Sequence, residues 1–249
     1  MVQPVSMPWS TPVFPPPPHA WNGVRTAVFP FAIDVDAVRA VLPPALEAAE
    51  GVGMVALLSY PWGANIRIHP FNEAVVLVPA RCNGQLGTYV PFIYVTTDEA
   101  LIAGREAAGW PKKLAEITWE RDGDRVRVAV VRWGRTLLAF DGEVNVDLPA
   151  DADLAGLAGL AGEPVPTFNY KLVPGPGDEI EVEEVTATTL EIVPSAIEVG
   201  MGTLVAASSE DDPVASVVPS AGGPFAALVS DNTIPCGTVV HRVDGRVRR

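Results

Sequence analysis

The apolar residues of this chain come in short runs closed by Gly, Pro or Asn, which leaves room for strands and little room for long helices. Residues 53–60 (GMVALLSY), 73–80 (EAVVLVPA) and 89–97 (YVPFIYVTT) are rich in β-branched and aromatic side chains and bounded by turn formers, the pattern of core strands. Residues 24–33 read the same way, with Arg25 near the start. Residues 117–119 and 126–133 flank Asp122, Gly123 and Asp124, a composition that turns a hairpin. Residues 180–192, 202–207 and 238–243 continue the β-prone, turn-separated pattern. A helix is expected from Asp34, which stands as N-cap ahead of Val35, Val38 and Leu42 on one face, with Pro43 and Pro44 to stop it. Residues 151–162 (DADLAGLAGLAG) are low in complexity and read as a helical or loop-like surface connection. The expected fold is α+β and mainly β: a closed antiparallel barrel or cone with a few short helices, forming one domain over residues 1–249. Residues 1–20 form a proline-rich lead-in, in which Pro15 to Pro18 should run extended across the surface as polyproline II.

Lysine is scarce. Only Lys112, Lys113 and Lys171 occur, against fourteen arginines, and two of the three are adjacent. Neighbouring ammonium groups disfavour each other's charge and burial disfavours it further, so one of the pair can titrate below the ~10.4 of a free lysine and act as a nucleophile. Arginine cannot do this, because it stays protonated. Trp110 and Pro111 before the pair, and Leu114 and Ala115 after it, favour burial, and Pro111 stiffens the approach to Lys112. The same pair is compatible with a solvated loop. Phe92 and Tyr94 share one face of their strand, where they can line an apolar pocket beside the lysines or simply pack the core.

The stretch Gly104, Arg105, Glu106, then Trp110, Pro111, Lys112, Lys113 and Leu114, resembles the signature of the acetoacetate decarboxylase superfamily. That resemblance implies that Lys112 forms a Schiff base and that Lys113 depresses its pKa; activation of a lysine by burial or a neighbouring cation is the known case of that enzyme. It implies further a cofactor-free lyase, a small oxo-acid substrate and a homo-oligomer. Phe71, Asn72 and Glu73 fit the family's aromatic, small polar residue and glutamate, which makes Glu73 the candidate for moving protons. Arg25 falls within one residue of the family's active-site arginine, so either Arg25 or Arg105 is placed to neutralise a substrate carboxylate, with Trp110 and Phe92 as apolar walls. Arg105 can instead serve as scaffold through Glu106 or another acid. In residues 166–177 (PTFNYKLVPGPG), Lys171 matches a structural lysine of the family.

One departure bears on the reaction. Where the decarboxylases carry a second glutamate, this chain has Leu58, or Ser59 one residue on. Decarboxylation of a β-keto acid and pyruvate-dependent aldol condensation with dehydration share every step up to the imine, and both remain open, as does a non-catalytic binding protein on the same fold.

The formal net charge of −13 repels nucleic acid and anionic membranes. The N-terminal residues lack the basic start and apolar run of a secretory signal, and no window of about 20 apolar residues offers a membrane span, so a cytoplasmic protein is expected. Cys82 and Cys236 are expected as two free, buried thiols, and they make no metal-type spacing with His19, His69 or His241; no metal is expected.

Overall fold

A strand sends alternate side chains to opposite faces, so a run that is apolar at every position has to be covered on both. The central strands meet that condition. The computed structural model describes residues 5–158 and 164–243. In chain order the elements are β1 (His19–Ala32), α1 (Val35–Val41), β2 (Glu47–Ala48), β3 (Val52–Tyr60), β4 (Phe71–Cys82), β5 (Gln85–Val95), α2 (Asp98–Ala108) and β6 (Lys112–Leu114). There follow β7 (Glu116–Asp122), β8 (Arg125–Arg132), β9 (Arg135–Val144), α3 (Ala155–Ala158), β10 (Thr167–Pro174), β11 (Ile180–Thr188), β12 (Glu191–Ala206), β13 (Ala221–Ile234) and β14 (Thr238–Arg242).

Along β1, β3 and β4, residues such as Ala27, Phe29, Val55, Leu57, Val76 and Val78 face one core, which β8 and β9 cover with Val128, Val130, Leu138 and Phe140. Their neighbours Val28, Ala56, Leu58, Phe71 and Val75 face a second core, which Ala100 and Ala108 of α2 help to close. The protein is thus mainly β, with all the described strands in one sheet.

That sheet differs from the closed antiparallel barrel expected. Its path runs β14, β11, β10, β5, β4, β3, β1, β13, β12, β9, β8, β7, with β2 on β4 and β6 on β5, and among the described residues no ladder joins its two ends. Two of the pairings, β5 with β10 and β5 with β6, are parallel. The end strand β7 instead lies across the middle of the sheet through single bonds: Trp119 Nε1 donates to the Leu57 carbonyl at 3.1 Å, and Asn72 Nδ2 to the Ile117 carbonyl at 2.9 Å.

Local expectations fared unevenly, for identifiable reasons. Asp34 caps α1 by accepting from the Asp36 and Ala37 amides. The hairpin at residues 122–124 forms, with Asp122 opposite Arg125 and Gly123 at a φ of 59°. The lead-in, however, bends at Pro16 and Pro17 and turns inward, burying Phe14. Cys82 is buried as expected, whereas Cys236 is exposed; both are free. Of the stretch 151–162, residues 155–158 are helical and 159–162 lie outside the described residues. Among the described residues no helix is long and apolar enough to cross a membrane.

Candidate active site

The helix α2 has the marks of one in its sequence: Thr97 accepts from the Ala100 amide at its start, Asp98 and Glu99 sit in the first turn, and Gly109 ends it in the left-handed region at φ 73°. Gly104, in its last turns, is where the chain makes room for Lys112. A Cβ on Gly104 would lie 2.6 Å from both Cδ and Cε of Lys112, so the glycine lets the lysine stem pass over the helix along its present path. Arg105, on the next position, donates from Nη1 to the Lys112 carbonyl at 3.3 Å and braces the strand that carries the lysine.

Strand β6 lies parallel to β5, with Lys112 opposite Ile93 and Lys113 opposite Tyr94. The two lysines therefore leave the sheet on opposite faces. Lys112 enters the second core, where Nζ donates to Glu73 Oε2 at 2.7 Å, both side chains being about nine-tenths buried (10% and 9% exposed). Its ammonium also sits over the Phe71 ring, 5.8 Å from the centroid. Lys113 reaches the other side, donating to Asp212 Oδ1 at 2.8 Å and to the Asp211 carbonyl at 2.7 Å. Asp212 is fully buried and also accepts from Arg132 Nε at 3.1 Å and from the Tyr94 hydroxyl at 3.0 Å. Each lysine thus has its own carboxylate.

Lys112 and Glu73 line a cavity of about 250 Å³ whose other walls are mostly apolar: Trp21, Phe71, Ile68, Ala103 and Trp110 among them, with Val5, Phe14 and Pro17 contributed by the lead-in. Of the residues expected at the site, the structure brings together Lys112, Glu73 and Trp110. Arg25 stands on the opposite face, bonded to Ser59 Oγ at 3.1 Å and stacked 4.7 Å over Trp119. Phe92 shares its face with Tyr94, as expected, but that is the face of Lys113, and Phe92 packs against the first core. No arginine is among the described residues that line the cavity.

Two further side chains belong to this site by geometry. His19 is buried in the cavity wall, and its Nε2 donates to the Pro15 carbonyl at 2.8 Å, which leaves Nδ1 as the acceptor in the neutral ring. Burial lowers its pKa, the Pro15 bond works against this, and the charge of Lys112 lowers it further. Since the unfolded chain then holds more protons just below about pH 6.5, stability should rise as pH is raised through that region. Urea denaturation at about pH 5 and about pH 8 should show this, and His19→Gln should flatten the difference. Tyr60, stacked on Phe71 with centroids 4.5 Å apart, lies against the same pair. Burial pushes its phenol well above the usual value, the charge of Glu73 adds to this, and a bond with Asn232 opposes it. Among the described residues no group of three His, Cys, Asp or Glu side chains is placed to hold a metal.

Leu58 is the direct cross-strand partner of Glu73. It presents a buried apolar side chain on the face that Glu73 occupies.

The family model described as acetoacetate decarboxylase matches residues 3–243. The chain is 26% identical to an acetoacetate decarboxylase of Burkholderia vietnamiensis over 249 residues, covering 95% of this chain and 94% of that one. Its fold is similar to the crystal structure of acetoacetate decarboxylase from Legionella pneumophila, with a TM-score of 0.80 at 22% identity over 94% of this chain and 91% of that one. It is also similar in fold to the enduracididine biosynthesis enzyme MppR complexed with the condensation product of pyruvate and imidazole 4-carboxaldehyde, with a TM-score of 0.77 at 18% identity over 96% of each chain.

Proposed function

The chain belongs to the acetoacetate decarboxylase family, and on that premise we propose that it is a lyase whose Lys112 forms a Schiff base with the ketone of a small β-keto acid and releases carbon dioxide. The observation that carries this reading is the pair Lys112–Glu73, 2.7 Å apart inside a mostly apolar cavity. Glu73 is within reach to take a proton from Nζ, which frees the nitrogen lone pair to attack the carbonyl carbon. The carbinolamine loses water, with the proton returned, to give a protonated imine. The bond to the carboxylate then breaks, its electron pair moves into the imine to give an enamine, and carbon dioxide leaves. Protonation of the enamine carbon and hydrolysis release the ketone and restore the lysine.

The apolar walls favour that bond cleavage. A carboxylate held there has the Lys112 nitrogen as the one basic group among the described cavity-lining residues besides neutral His19, and its charge disperses as carbon dioxide forms. Arg105 acts as a positioning residue through the Lys112 carbonyl. A second reading, condensation of pyruvate with an aldehyde followed by dehydration, is favoured by one observation: Leu58, opposite Glu73, and Ser59 after it are both non-acidic, in the stretch where the resemblance leads one to expect a second glutamate.

Borohydride reduction in the presence of acetoacetate or pyruvate, followed by peptide mass spectrometry, tests both. A Lys112 adduct that has lost carbon dioxide supports the decarboxylase, and an adduct with pyruvate alone supports the condensation. No adduct with either acid would overturn imine catalysis and leave a binding protein on this fold.

A further inference from the structure

A second cavity of about 280 Å³ adjoins the first, and Tyr60, Glu73, Trp110 and Leu190 line both. Beyond these four its walls come from β1, β3, β4, β5, β10, β12 and β13 and from Pro164 and Val165, with Val28, Met54, Leu58, Val75, Leu77 and Leu228 among the apolar surface. Glu73 is the one charged group among its described lining residues. Several of its polar groups are already engaged with each other: Ser230 donates to Asn232 Oδ1 at 2.7 Å, and the Thr88 and Thr167 hydroxyls lie 3.1 Å apart. A four-carbon oxo acid bonded to Lys112 has no part that needs this space.

Leu58 gives the cavity its character at the point nearest the chemistry. It is paired in register with Glu73, so its side chain begins the apolar wall directly beside the carboxylate that serves Lys112. A glutamate there would put a charge at the head of the cavity.

Resting on the imine reading above, we propose that this second cavity is the subsite for an apolar tail on the substrate, so that the chain acts on oxo acids carrying a hydrocarbon chain of several carbons beyond the ketone. The reacting carbon sits with Lys112 in the first cavity, and the tail passes between Tyr60, Trp110 and Leu190 into the second. Each methylene buried there is worth about fourfold in affinity, so four added carbons should give well over tenfold even if half remain partly wet.

The subsite can be tested without the imine. Butanoate and octanoate carry no ketone, and isothermal calorimetry on the full chain should show octanoate binding at least about tenfold more tightly. Met54→Trp and Leu228→Phe, which fill the second cavity from β3 and β13, should each cut that ratio below about threefold, with folding checked by circular dichroism; either variant suffices if the other does not fold. Equal affinity for the two acids, or a ratio that survives in a folded variant, would overturn the subsite. Reductive trapping with acetoacetate and 3-oxooctanoate, run in parallel, reports on Lys112 separately. An acetoacetate adduct with no octanoate preference removes the tail subsite and leaves the imine, whereas octanoate selectivity lost in the variants, with no adduct from either acid, keeps the subsite and removes the imine.

Discussion

Lys112→Ala should lower the turnover of carbon dioxide release by about 10⁴-fold, the scale expected when the group that bonds to substrate is removed. Lys112→Arg should lose as much, because a guanidinium keeps the charge near Glu73 but cannot become a nucleophile or form an imine. The two variants should differ in stability. Alanine leaves the Glu73 carboxyl, 9% exposed, without its cation, while arginine can still answer it. A manometric or isotopic assay of carbon dioxide release, together with urea denaturation, checks both halves, and full activity in Lys112→Arg would remove the lysine from the chemistry.

Asp212→Ala should have the largest effect on stability, a loss of about 3–5 kcal/mol, because it strips a fully buried carboxylate from beneath Arg132, Lys113 and the Tyr94 hydroxyl. Lys113 is partly exposed and can turn to water, so most of the loss should come from Arg132 and Tyr94. Burial by itself raises the Asp212 pKa, but the bonds from Lys113 and Tyr94 and the charges of Lys113 and Arg132 outweigh it and leave the carboxyl below its usual value. Its contribution to stability is therefore complete above about pH 4 and is lost as pH falls through the lowered value. Urea midpoints for wild type and Asp212→Ala should diverge near neutrality and approach each other in acid. An Asp212→Ala midpoint equal to that of wild type at neutral pH would mean that the cluster contributes nothing.

The buried position of Lys112 was legible because its apolar flanks and the glycine ahead of it lie within ten residues. Glu73 was legible for the same reason, at the start of a well-bounded strand. Which face a side chain takes is a different matter, since one residue of register moves it through the sheet. Arg25 shows this. The pairing of β1 with β13 shifts between Trp21 and Val24, where Gly23 takes a φ of 72°, so Trp21 and Val24 face the second core and Arg25 is sent to the other side. Nothing in the run of apolar residues from 24 to 33 announces that bulge. The helix α2 has its signals, Thr97 at the start and Gly109 at the end, yet the strand over 89–97 was the one element expected there. Asp212 had none, because its partners Lys113, Arg132 and Tyr94 lie 99, 80 and 118 residues away. His19 belongs with Asp212 in this respect: its place in the wall depends on a lead-in that folds inward, which a run of prolines does not foretell.

The close approach of Gly104 to the lysine stem has a consequence for how such a site could arise by stepwise change. Glycine inside a helix costs about 1 kcal/mol relative to alanine, a disadvantage while residue 112 is small. A lysine introduced at 112 opposite alanine would meet a methyl group 2.6 Å from the present position of its stem carbons and would have to shift its stem to reach Glu73. The vacancy spares the stem that shift, so the geometry favours one order of acquisition: a slightly weakened helix first, the reactive residue second.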